Sequence, residues 1–83
     1  GDTEGFVNYA IAIKGIRFAV FITEKDGLVK LSLRSKGHLK VNEIASNYFR
    51  GGGHANASGG VSQESVDNTI KTVKMIINNI KIT

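Results

Sequence analysis

Residues 17–35, RFAVFITEKDGLVKLSLRS, constrain the fold more than any other part of the chain. The first segment, RFAVFITEK, is β-branched and aromatic, apolar on both faces and too short for a good helix, so it reads as a central strand. Lys25 to Gly27 is a turn signal. LVKLSLRS then alternates cleanly, with Val29, Leu31 and Leu33 on one side and Lys30, Ser32 and Arg34 on the other. Two such strands form an antiparallel hairpin.

Other elements surround that hairpin. Phe6, Tyr9, Ala10 and Ile13 fall at i, i+3, i+4, i+7, which predicts a first helix capped by Asp2 or Thr3 and ended by Gly15. Val41, Ile44, Ala45 and Tyr48 repeat the spacing, with Asn42 as candidate N-cap. Residues 57–61 suit a short third strand. A last helix follows, with Ser62 as its cap, Glu64 and Asp67 in its first turns, and Val66, Ile70, Val73, Ile77 and Ile80 as its buried stripe. The expected fold is α/β in the α+β sense: helices on a small mixed sheet, in the order α-β-β-α-β-α. Phe6, Tyr9, Phe18 and Phe21, four of the six aromatics, are assigned to the core, which leaves few for stacking on a base.

Eighty-three residues hold one small domain, here residues 1–83. No apolar run reaches the ~20 residues that a membrane-spanning helix needs. The chain lacks cysteine, so disulfides and thiolate metal sites are out, and a cytoplasmic location is expected. The start, GDTEGFVNYA, has no signal pattern and reads as a cut inside a longer chain. Residues 28–60 carry Lys30, Arg34, Lys36, Lys40 and Arg50 against Glu43 alone, a surplus of four that equals the net charge of +4. A local positive field suits an anionic partner such as phosphate or nucleic acid; a solvated lysine-rich face explains it as well.

Residues 50–60, RGGGHANASGG, hold five of the ten glycines. A left-handed helix C-cap accounts for one, Gly51, and a tight turn for a second. For the rest, two explanations stand: local packing, or close approach of an anionic oxygen to a nest of backbone amides. His54 follows the run and can reach whatever the amides hold. Arg34, at the end of its strand, offers a guanidinium fork suited to phosphate, or is an ordinary solvent-facing arginine. Asn56 and Ser58 add polar groups beside the loop, or simply satisfy turn backbone. His38 lies sixteen residues from His54, outside any carboxylate cluster, so no metal site is expected in these residues. Ser35 has no evident base beside it. The pattern is that of a binding half and not of a complete active site.

In order, DTEGFVNY, LSLRSKG and RGGGHANASGG resemble the C-terminal, DHH-associated domain of the DHH phosphoesterase superfamily, closest to bacterial oligoribonucleases and phosphoadenosine-phosphate phosphatases (exopolyphosphatase-related proteins). Ser58 stands where these proteins commonly have alanine. The resemblance implies a manganese-dependent parent enzyme acting on short oligoribonucleotides or small phosphonucleotides. Its two divalent metals would be held by an N-terminal DHH domain absent from this sequence, and no cofactor is expected within these residues. Arg34 and Ser35 would hold a phosphate. Gly51, Gly52, Gly53 and His54 would sit at the interdomain cleft, His54 as an auxiliary catalytic contact to transition-state charge, and Asn56 and Ala57 would complete the substrate-binding set. The expected partners are a phosphate-bearing substrate, short RNA or nucleotide, and the DHH domain; no membrane is involved. The alternative is a non-catalytic nucleic-acid-binding module of the kind found at the tails of alanyl-tRNA synthetases.

Overall fold

A computed structural model describes residues 5–13 and 15–82. Five strands form one sheet: β1 (Gly5–Ile13), β2 (Ile16–Lys25), β3 (Leu28–Lys36), β4 (Gly52–His54) and β5 (Ala57–Ser62). The helices are α1 (Val41–Tyr48), between β3 and β4, and α2 (Val66–Ile82), after β5. The spatial order of the strands is β1-β2-β3-β5-β4. The α+β class expected from the sequence is the one observed, with every pairing antiparallel where a mixed sheet was expected.

The predicted hairpin forms as β2 and β3. Asp26 and Gly27 make its two-residue turn, both with positive φ, 54° and 77°, as a tight turn matched to strand twist requires. The predicted first helix is instead β1, so the order begins with three strands. The segment GFVNYAIAI carries two periodicities, and the alternation of Val7, Tyr9 and Ile11 wins over the helical spacing. These side chains are β-branched or aromatic, and pairing with β2 places them beside the buried Ile22, Val20 and Phe18. Gly15, at φ 82°, serves the β1–β2 turn and stops no helix. The caps proposed at Asp2 and Thr3 lie outside the described residues.

Both helices belong to a single core on one face of the sheet. Phe18, Val20, Ile22, Val29, Leu31 and Leu33 meet Val41, Ile44, Ala45 and Phe49 from the α1 segment and Val73, Ile76 and Ile77 from α2. Burying each large aliphatic chain contributes about 1.5–3 kcal/mol. Phe49, one residue past α1, is buried, and Tyr48 is exposed. Lys40 precedes α1 with no side-chain cap, and Asn42 lies within the helix. For α2 the cap is Ser65, whose Oγ accepts the Asn68 amide at 3.1 Å. Ser62 ends β5, and its Oγ accepts the hydroxyl of buried Thr69 at 2.7 Å, tying strand to helix. Among the described residues no helix is long and apolar enough to cross a membrane.

Candidate functional site

The second face of the sheet carries no helix from the core. Strand alternation and register decide what it displays. Every lysine and arginine of β2 and β3 (Arg17, Lys25, Lys30, Arg34 and Lys36) falls on this open face, and their one acid, Glu24, falls on the helix side, opposite Val29. Charge that looked scattered along the sequence is thus sorted by the pleat.

One cross-strand row runs Ala10, Ala19, Arg34, Ala57, His54 from β1 to β4. Arg34 and His54 are both exposed, with only the half-buried Ala57 between them. Two strand spacings separate their backbones, about 10 Å. A phosphate resting over Ala57 meets an arginine fork from one side and an imidazole from the other. Beside this row lies a cavity of about 580 Å³, lined by Arg17, Arg34 and Lys36 with Ala10, Ala12 and Ala19 from the open face and Ile11, Phe18 and Ser35 from the helix side. Arg17 and Lys36 stand directly opposite each other across β2 and β3. Like charges so placed destabilise a sheet, and none of the three cations has an ion-pair partner among the described residues. The arrangement accommodates an anion electrostatically and leaves room for it sterically.

The glycines divide into two groups. A Cβ on Gly51 would collide with the Gly59 carbonyl, and one on Gly60 would lie 2.6 Å from Phe49 Cβ, so both allow the α1 end to pack on β5. Gly53 adopts φ 144° against Ser58. A Cβ on Gly52 would meet nothing within 4 Å, and one on Gly59 only the Leu31 carbonyl oxygen, at 3.4 Å. These two are paired with each other on the open face, where they leave the backbone bare without any demand from internal packing. Two expectations need correction. The residue with left-handed φ after α1 is Arg50, at 50°, and not Gly51. The run is also extended as β4 rather than curled into a nest, and the Gly51 amide is taken by the Ala45 carbonyl at 2.9 Å.

Ser35 and Asn56 act as a clasp. Ser35 follows Arg34 in β3 and so faces the helix side, in register with Phe18. Its hydroxyl donates to the Leu39 carbonyl at 2.7 Å and accepts Asn56 Nδ2 at 2.8 Å. The Ser35 amide donates to the Asn56 carbonyl, and Val41 N–H to that of Ala55. Together these bonds tie the β4–β5 turn to the end of β3 and to the start of α1. Ser58 Oγ donates to the His54 carbonyl at 2.7 Å and fixes the end of β4. The hydroxyl groups of Ser35 and Ser58 thus help set the spacing between Arg34 and His54, and Ser35 and Asn56 also line the cavity.

Of the residues expected at the site, Arg34, Gly52, His54 and Ala57 share the open face, and Asn56 borders it. Ser35, Gly51 and Gly53 support it from behind or from the edge. Arg17 was missed, although its alternation with Phe18 and Val20 marks it as facing away from the core. Among the described residues no three His, Asp or Glu side chains come together as metal ligands.

The DHHA1 family model matches residues 1–79. The chain is a DHHA1 domain. Among curated proteins, the domain is similar to a 3',5'-cyclic-nucleotide phosphodiesterase of Helicobacter pylori, with 32% identity over 68 residues, covering 71% of this chain and 20% of that protein. The domain thus spans about a fifth of the length of this relative. No solved structure matches it significantly.

Proposed function

We propose that this domain holds the substrate phosphate of a phosphoesterase that hydrolyses short oligoribonucleotides or small phosphonucleotides, in the manner of the oligoribonuclease and phosphoadenosine-phosphate phosphatase group. The observation that carries this reading is the row Arg34–Ala57–His54 beside Arg17 and Lys36, with Arg17, Arg34 and Lys36 all without an ion-pair partner among the described residues, on a face whose described strand residues include no acid. A relative named as a phosphodiesterase supports a phosphoester as substrate. In this reading Arg34 binds two phosphate oxygens through its fork and sets the orientation of the phosphorus. His54 donates a hydrogen bond to the same group, where negative charge grows in the transition state. Gly52 and Gly59 let the substrate backbone lie close to the sheet. The manganese ions belong to the DHH domain of the parent, and none of these roles passes through them.

The test is hydrolysis of a short oligoribonucleotide by the full-length protein. Arg34→Ala and His54→Ala should each lower turnover about 10²–10³-fold, with melting temperature nearly unchanged. Wild-type turnover in both would contradict the assignment. The five cations of β2 and β3 also suit the second reading, a nucleic-acid module without catalysis. In that case the same variants would weaken RNA binding and leave turnover by the parent unaltered.

A further inference from the structure

The row next to Arg34 on the open face runs Asn8, Phe21, Ser32, Gly59, Gly52. The sequence suggested that Phe21 belonged to the core. Register instead turns it to the open face, where it is 40% exposed. Phe6, 66% exposed, stands diagonally from it on β1. The cross-strand neighbours of Phe21 are polar: the Asn8 amide on one side and the Ser32 hydroxyl on the other. Neither side chain makes a hydrogen bond among the described residues. A surface built for another protein layer would set apolar residues directly opposite the ring, whereas the apolar Phe6 meets it only on the diagonal. Here an apolar ring lies between two side chains with unused donors and acceptors, which complements a nucleobase, apolar on its faces and polar at its edges.

Position agrees with chemistry. Arg34 is the diagonal neighbour of Phe21 across β2 and β3, about 7–8 Å away between backbones. That span is comparable to the one a sugar places between a base and its phosphate. The intervening surface is small or bare, with Ala19 beside Arg34 and Gly59 beyond Ser32.

We propose that Phe21 is a stacking platform for the base of a nucleoside phosphate whose phosphate Arg34 holds, with Asn8 and Ser32 at the edge of the base. The inference rests on the phosphate-holding role given to Arg34 above, and adds that the site selects nucleotides over base-free phosphates. Inorganic polyphosphate gains nothing from Phe21.

The experiment measures binding of adenosine monophosphate and of ribose monophosphate to the full-length protein by calorimetry in metal-free buffer, for wild type, Phe21→Leu, Phe21→Trp and Arg34→Ala. Loss of base stacking in Phe21→Leu should weaken the adenosine ligand about 5- to 150-fold and the ribose ligand by less than about twofold. Phe21→Trp should retain the adenosine affinity. Equal wild-type affinities for the two ligands, or a Phe21→Leu variant that changes both or neither, would overturn the inference. A fall in melting temperature of the size expected for a core substitution would also overturn it, since the ring would then be covered by another part of the protein. Failure of the underlying reading looks different: in that case Arg34→Ala leaves the affinity for both ligands intact.

Discussion

On the helix side of the sheet, Val20, Ile22, Val29 and Leu33 are closed off from water by two helices. One residue along each strand, on the other side, stand Ala19, Phe21, Ser32 and Arg34. The two faces share the same backbone and the same hydrogen-bond ladders, yet different demands shape them. Helix-side positions are selected for volume and apolarity. Many open-face positions are small, cationic or bare, Phe6 and Phe21 standing apart, and in two places the face works against sheet stability: the opposed charges of Arg17 and Lys36, and a Gly52–Gly59 pair that packing does not require. On the proposed function this surface gives up stability for binding, so substitutions on the two faces should separate folding from binding.

The largest effect belongs to the helix side. Leu33→Ala, at a fully buried position, should lower stability by about 2–5 kcal/mol in chemical denaturation. Gly60→Ala comes next, at about 1–3 kcal/mol, because its methyl group would press on Phe49 and lift the α1 end. Lys36→Glu should reverse the sign of the comparison. By giving Arg17 a partner it should raise stability by about 0.2–1 kcal/mol while weakening phosphate binding, as thermal melts and calorimetry of one sample would show. Gly52→Ala is the smallest and most pointed change. Stability should hold or rise by up to about 1 kcal/mol, while nucleotide affinity falls as the added methyl enters the space left for substrate. A Gly52→Ala variant that destabilises without affecting affinity would erase the distinction between the faces.

Much of this was legible in the sequence because local chemistry decided it. The Asp26–Gly27 turn and the alternation of Val29, Leu31 and Leu33 fix β3 and place Arg34 opposite the core. The α2 stripe and Val41, Ile44 and Ala45 of α1 follow from spacing, whereas Phe49 and not Tyr48 closes the α1 end, and His54 stands out beside its glycines. What eluded the sequence depends on partners remote along the chain. Residues 5–13 satisfy two periodicities, and only pairing with β2 selects the strand. Ser35 and Asn56 stand out in the sequence as polar groups, but their bonds to each other and to Leu39 and Gly37 join residues far apart along the chain. Phe21 looks like a core residue because its strand is apolar on both faces; its exposure follows from both helices packing on one side.

Amide-resolved NMR titration of the chain with a dinucleotide tests most directly that the open face is the binding surface. The account predicts shifts concentrated at Arg17, Arg34, Lys36, Gly52, His54 and Ala57, with α1 and α2 largely silent. Shifts clustered on the exposed surfaces of α1 and α2, with the Arg34–Ala57–His54 row unmoved, would contradict it.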